Sequence, residues 1–358
     1  MPPTTLAISA APPPTPADLE AVSRWLDEQG VPGTGMRDIV ELGGGTQNVM
    51  LRFRRGDRAL VLRRGPLHLR PDTNDAIRRE VRMLAALRDS AVPHAHLVAA
   101  CEDGAPLGGA AFYVMDAVDG FNPTNELPKH LAGDPTFGAR LGGAAVEALL
   151  TLATVDPAHP SLDGIGRTTG YLERQVPRWL SELAKYASVP GYASSLDGGV
   201  ETVTGWLEDR RPATFTPGVV HGDFHLANLM CAPDGGRVAA IVDWEMCTVG
   251  EPLLDFGWLL STWPGAGDSV DELAAPLRRA GALPTVDDLI ADYARQSSRD
   301  LSNLAWYRVL AAFKLSVILE GTYVRSLQGK ATEVMGQKLH RYSVDLIARA
   351  VAVIEAGS

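Results

Sequence analysis

Residues 219–245 read VVHGDFHLANLMCAPDGGRVAAIVDWE, and the architecture is decided here. Asp234-Gly235-Gly236 is a hairpin signal between two apolar runs, since Asp-Gly and Gly-Gly pairs accept the positive φ of tight hairpin turns. Folding the chain about Gly235-Gly236 sets Asn228 opposite Asp243. A turn centred one residue earlier shifts the register by two and keeps them neighbours. Asp223 lies five residues before Asn228, in the loop entering the first strand. Two carboxylates and an amide thus gather at one end of a hairpin. Mg²⁺ takes a few oxygen ligands of this kind and lets phosphate oxygens complete its shell. A further carboxylate at such a site is free to accept a proton. One Asp at a strand end commonly does no more than cap a turn; three such residues in this order are far more specific.

Outward from the hairpin, the chain divides. A helix is expected from Pro16, which suits a first turn after Thr15, through Leu19, Val22 and Leu26 to Gly30. Residues 36–42, 47–53 and 59–63 then read as a strand meander, with Val49, Leu51 and Phe53 on one face. A helix follows at 73–88, with Ile77, Val81 and Leu84 on one stripe. Two more strands fall near 97–101 and 111–118. Past Gly120 the pattern turns helical, at 136–155, 170–186, 199–209, 287–298, 303–326 and 334–355, interrupted by a β island at 218–244. Strands and helices are segregated, so the fold class is α+β. Residues 1–16, rich in Pro, Ala and Thr, read as a disordered tail.

HGDFHLAN followed by IVDWE resembles the aminoglycoside phosphotransferase superfamily. The Asp-to-Asn spacing D-x-x-x-x-N and the later Asp are also those of protein kinases. GEPLLDFGWLL is similar to the family's block after the second metal ligand, with Glu251 in place of the usual Asp. VLRR, RREVRMLAAL and FYVMDAVDG are similar to bacterial phosphotransferases related to the kinase domains of acyl-CoA dehydrogenase family members 10 and 11. The resemblance implies a bilobal protein-kinase-like fold. The small antiparallel-sheet N-lobe would span 17–115, a hinge 116–120, and the larger helical C-lobe 121–358. It further implies Mg²⁺-ATP-dependent phosphoryl transfer to a hydroxyl of a small molecule.

Roles follow position by position. By resemblance, Asp223 is the catalytic base, Asn228 and Asp243 hold magnesium, and His221 and Asp255 brace the catalytic loop. His225 lies inside the loop but outside the family pattern, so an exposed loop histidine is the ordinary expectation. Glu245 either lies near the metal or is a solvated strand-end acid. ATP falls to the first lobe. The glycine run through Gly44 and Gly45 to Thr46 lets backbone N–H groups approach phosphate closely. The chain lacks the Walker pattern, and a bare GGG is equally a hairpin turn. Protein kinases place a Lys on the third strand, paired to a Glu on the next helix. Residues 1–120 contain no Lys, and Arg63 takes the place. Arg64 has the opposite strand parity and should face away. Glu80 lies on the inward stripe and needs a cation, so an Arg63–Glu80 pair is expected over a surface pair with Arg79 or Arg82. The Asp116 carbonyl and the Val118 N–H would face adenine.

Composition bounds the rest. Lys and Arg number 33 against 43 acids, a net charge of −10, which argues against a nucleic-acid or anionic-membrane surface. Residues 1–120 carry 13 Arg and 15 acids, or −2, leaving −8 for residues 121–358. That imbalance mildly favours a cationic or neutral acceptor over a CoA thioester. Three widely spaced cysteines argue against a disulfide framework or zinc site. With no signal peptide or long apolar run, a cytoplasmic protein is expected. A nucleotide-binding pseudokinase is the main rival, although Asp223, Asn228 and Asp243 are all present. A protein kinase would need an activation segment, and no APE-type motif follows Asp243. Aromatics such as Trp179, Trp206, Trp258, Trp263, Trp306 and Tyr323 either line an acceptor pocket or fill the core. Oligomeric state and acceptor stay open.

Overall fold

The computed structural model describes residues 14–43, 49–65, 73–193, 196–264 and 275–357. The expected tail lies almost wholly outside them, as do Gly44, Gly45 and Thr46. The described chain divides into two compact units. The first draws on Met1–Asp119, Ala158–Asp163 and Ala240–Cys247; the second takes Gly120–Pro157, Gly164–Ala239 and Thr248–Ser358.

In the first unit, α1 (Pro16–Glu28) starts at a capping box. The Asp18 N–H donates to Thr15 Oγ1 and the Thr15 N–H donates back to Asp18, satisfying two amides that a helix start otherwise leaves open. The sheet contains β1 (Arg37–Glu41), β2 (Val49–Arg55), β3 (Arg58–Arg64), β4 (Leu97–Cys101) and β5 (Phe112–Asp116). Its order is β1-β2-β3-β5-β4, antiparallel throughout. The alternation read in β2 is real: Val49, Leu51 and Phe53 are buried. They share one core with Leu60, Leu62, Phe112, Val114 and the α1 residues Val22 and Leu26. Helix α2 (Thr73–Leu87) packs on β4 and β5 and buries Ile77, Glu80, Val81 and Leu84. Arg64 takes the face opposite Arg63, as its parity requires, and is fully buried there.

The second unit is helical around short strands. Its elements are α3 (Phe137–Leu152), α4 (Gln175–Tyr186), α5 (Asp197–Asp209), β6 (Gly218–Val220), β7 (Leu229–Cys231) and β8 (Val238–Ile241), of which Val238 and Ala239 belong to this unit. They continue with β9 (Thr248–Gly250), α6 (Leu253–Thr262), α7 (Val286–Gln296), α8 (Leu304–Leu327) and α9 (Glu333–Ala356). β6 pairs with β9 through Val219 and Val249, and α8 packs against α4, α5, α6 and α9. The hairpin after β7 closes with the Ala232 N–H on the Arg237 carbonyl, 3.0 Å. Its centre is therefore Asp234-Gly235, one residue earlier than Gly235-Gly236. Gly235 has φ +69°, and a Cβ there would strike Phe137 and Leu131. Helix α6 had no periodic signal, because its residues Leu253–Leu260 are buried all round and such a helix shows no polar face.

Candidate active site

Two clusters of ionisable groups stand out, one in each unit. The first unit's cluster is built on strand register. Arg63 on β3 lies across from Met50 on β2 and Tyr113 on β5, so the three side chains share the face that α2 covers. Glu80, fully buried on α2, accepts from Arg63 Nη2 at 2.9 Å through Oε1 and from the Tyr113 hydroxyl at 2.7 Å through Oε2. The strand-to-helix pair read in the sequence is formed; Tyr113, its third member, was missed. Burial by itself disfavours the charged guanidinium. Glu80, then Tyr113 and Asp243, outweigh it, and the Arg63 pKa rises. Burial pushes the Glu80 carboxyl up to about 7 against the pull of Arg63 and Tyr113.

Arg63 Nη2 also donates to Asp243 Oδ1 at 2.7 Å, and Glu245 Oε2 lies 3.8 Å away. Asp243 sits in the left-handed region at φ 67°, ψ 67°, a conformation a non-glycine residue rarely adopts. Strain of this sort persists where the surroundings over-determine it; here the Arg63 bond supplies part of that hold. Oxygens of Glu80, Asp243 and Glu245 fall within 4.8 Å of one another. Glu80 has both oxygens occupied, whereas the Asp243 and Glu245 side chains remain 38% and 46% exposed. The cluster thus offers a hard cation two accessible carboxylates, with Arg63 beside them. Asp116 is tied by its own carboxylate to Arg58 at 2.7 Å and by its N–H to the His96 carbonyl.

The second unit's cluster surrounds the 221–228 loop. Asp255, at the start of α6, accepts the His221 N–H at 2.6 Å and the Gly222 N–H at 2.8 Å. One carboxylate so pins two consecutive amides of the loop, as the brace role requires geometrically. Asp255 is 1% exposed, and burial raises its pKa to about 7 despite those two donors. Glu251 lies just before α6 and is 3% exposed. It accepts the Leu253 and Thr216 N–H groups and pairs with Arg299 at 3.0 Å.

Asn228 Nδ2 donates to the Asp223 carbonyl at 2.9 Å and to Asp223 Oδ2 at 3.0 Å. The amide nitrogen is committed inward, which leaves the amide oxygen as the atom a cation would take. His225 lies 3.2 Å from Asp223 Oδ1, so this loop histidine is engaged with the acid and not merely solvated. Burial favours protonating Asp223, but His225, His221 and the Asn228 amide together hold it at about 2. Lys314 on α8 was also missed. It is 6% exposed, and burial lowers its pKa to about 8 although Asp255 and Asp223 oppose the shift. Its only trace in the sequence is a single charge inside the apolar run VLAAFKLSVIL.

The chain has relatives among known proteins. The model of the phosphotransferase enzyme family matches residues 38–311. The chain belongs to that family. Among curated relatives, mouse acyl-CoA dehydrogenase family member 10 is 29% identical over 318 residues, covering 86% of this chain and 28% of the mouse protein. Human acyl-CoA dehydrogenase family member 11 is 27% identical over 298 residues, covering 81% of this chain and 36% of the human one. The chain therefore spans about a third of the length of these relatives. A solved putative aminoglycoside phosphotransferase from Ralstonia eutropha superposes with TM-score 0.77 at 24% identity, covering 94% of this chain and 98% of the other. Aminoglycoside phosphotransferase APH(4)-Ia, in a ternary complex with AMP-PNP and hygromycin B, gives TM-score 0.61 at 16% identity, with 93% and 98% covered. The phosphotransferase chain thus has the kinase-like α+β fold of these structures. Its three cysteines are buried and form no disulfide, and no described helix is long and apolar enough to cross a membrane.

Proposed function

We propose that the chain is a cytoplasmic, Mg²⁺-ATP-dependent phosphotransferase acting on a hydroxyl of a small molecule. The observation that carries this reading is the state of Asp223. It is ionised, held by His225 and Asn228, and set in a loop that Asp255 pins through two backbone amides. Phosphoryl transfer passes through a loose transition state in which positioning matters more than strong base catalysis. A carboxylate held at about 2 suits that task, since it orients the hydroxyl by accepting its hydrogen bond. The hydroxyl oxygen bonds to the γ-phosphorus as the bond to the ADP oxygen breaks, and the released proton leaves by way of Asp223. Asn228 and Asp243 would hold Mg²⁺, which when bound neutralises charge on the phosphate oxygens. Their chemistry fits, through the uncommitted amide oxygen of Asn228 and the exposed carboxylate of Asp243. Arg63, steadied by Glu80, would contact phosphate. The Val118 N–H, which has no partner among the described residues, would meet the adenine edge beside the Asp116 carbonyl. A glycine-loop role for Gly44, Gly45 and Thr46 belongs to the same reading.

That AMP-PNP and hygromycin B occupy a structural neighbour supports a nucleotide and a small-molecule acceptor as the two ligands. ATP consumption across a panel of hydroxylated metabolites and antibiotics, with Asp223→Ala as the blank, tests the reading. The variant should lose about 10²–10⁴-fold in turnover while keeping ATP affinity. Unchanged turnover would overturn the assignment, and nucleotide binding with no turnover in either protein would favour the pseudokinase.

A further inference from the structure

The loop that carries Asp223 and Asn228 is held by a stretch of chain outside the HGDFHLAN motif. Residues 120–124 lie against the Ala227–Cys231 stretch, both within the second unit. Phe121 and Cys231 exchange backbone N–H to carbonyl bonds at 2.9 and 2.8 Å. The approach is so close that a Cβ at Gly120 would meet the Cys231 carbonyl oxygen at 2.5 Å. Two residues on from Gly120, Asn122 Nδ2 donates to the Ala227 carbonyl at 2.5 Å. Asn122 Oδ1 accepts from the Thr124 N–H at 2.9 Å and from Thr124 Oγ1 at 2.7 Å. These partners fix the orientation of the amide, because a backbone N–H can only donate and a carbonyl can only accept. Capping its own turn needs only the amide oxygen of Asn122. The nitrogen, aimed at a residue 105 positions away, calls for a different account.

The carbonyl that Asn122 holds belongs to the peptide joining Ala227 to Asn228. The N–H of that same peptide donates to the His225 carbonyl at 2.9 Å. The plane leading into Asn228 is therefore fixed at both ends, once from inside the loop and once from outside it. Asn228 is 8% exposed and turns its Nδ2 inward, to the Asp223 carbonyl and to Asp223 Oδ2. With that nitrogen committed, the direction of the amide oxygen follows from where the peptide plane sets the Asn228 backbone. Asp255 pins the start of the loop at the His221 and Gly222 amides, and Asn122 pins its end. A ligand atom is only as well placed as the groups that hold it. Such groups typically count for about 10–100-fold in metal affinity.

We propose that Asn122 is a positioning residue for the metal, acting through the Ala227–Asn228 peptide to set the Asn228 amide oxygen toward Mg²⁺. This rests on the reading of Asn228 as a magnesium ligand. In this role Asn122 acts only through Asn228 and touches neither the metal nor the nucleotide.

Calorimetric titration of the full chain with ATP, in excess Mg²⁺ and again in EDTA, tests the proposal. The ratio of the EDTA dissociation constant to the Mg²⁺ one measures what the metal contributes. Asn122→Ser keeps an oxygen for the Thr124 N–H but is too short to reach Ala227. Asn122→Asp keeps the shape and turns the donor into an acceptor. Both should lower the ratio about tenfold, and Asn122→Ser should leave the EDTA constant unchanged. A residue that only held the fold would weaken ATP equally with and without Mg²⁺. That result overturns the proposal, as does an unaltered ratio in both variants. Asn228→Ala should lower the ratio on its own, and adding Asn122→Ser to it should change little further, since residues acting as one unit are not additive. Full additivity would show that Asn122 does not act through Asn228. An unaltered ratio in Asn228→Ala sinks the magnesium reading of that residue and this proposal with it. A lowered ratio there, with an intact one in both Asn122 variants, sinks the proposal alone.

Discussion

Arg63 shows how one residue can carry several duties. Its guanidinium bridges Glu80 and Asp243 and approaches Glu245, a reach that a lysine ammonium cannot copy with one planar fork. Arg63→Ala leaves Glu80 buried beside Tyr113 with no cation. Urea denaturation should show a loss of about 3–5 kcal/mol, the usual consequence of orphaning a buried charge. Arg63→Lys should recover part of that stability but less of the nucleotide affinity. Asp243 can be separated from this stability role. Mg²⁺-ATP at about a hundred times its Kd should stabilise the chain by about 2.7 kcal/mol. Asp243→Ala or EDTA should remove most of that shift in a thermal melt, and an unaltered shift would exclude Asp243 as a magnesium ligand. At this scale the sequence was informative wherever spacing encodes contact. Arg63 and Glu80 were legible from strand parity and helix stripe. Tyr113 was not, because its tie to them depends on β5 lying beside β3 in register, and strand order is not written in local pattern.

Among the elements, the junction of α6 and α8 governs the loop. Asp255 opens α6 and Lys314 lies mid-way along α8, both buried. The groups acting on Lys314 are Asp255, Arg178 and Asp223, with the two indoles against it. Asp255 titrates at about 7 in the fold against 3.8 for an ordinary Asp. Between those values the native state holds a proton that the unfolded chain releases, so its contribution to stability declines as pH rises from about 4 to 7. Lys314 titrates at about 8 against 10.5. There the unfolded chain holds the extra proton, and stability recovers as pH climbs from about 8 towards 10. Urea midpoints across pH 4–10 should therefore pass through a shallow minimum near pH 7–8. Asp255→Asn should lessen the acid-side slope, which Glu80 shares with its own rise to about 7, and Lys314→Met should flatten the alkaline side. In Asp255→Asn one backbone N–H faces an amide NH₂ in place of an oxygen, so turnover should fall more than ATP affinity. The helices themselves were read correctly where one face is wet. α6 escaped notice because burial on every side erases the period that a sequence reader relies on.

For the whole molecule, charge was the coarsest guide. The split near residue 120 falls close to the boundary at Asp119 and Gly120, but residues 158–163 and 240–247 return to the first unit. Asp243 and Glu245 therefore belong with Arg63 and Glu80, while Asp223 and Asn228 belong to the helical unit. No composition profile shows such an exchange, since a short segment takes its place from what packs around it. By itself the sequence determined the segregated α+β plan, the β2 alternation, the family motifs and the Arg63–Glu80 pair. Each of these rests on short-range spacing. Only the tertiary structure decided that Tyr113 completes the first cluster and that Lys314 lies buried between two indoles. Those are contacts between residues far apart in the chain, or burials whose cost depends on every neighbour at once, and periodicity carries no record of them.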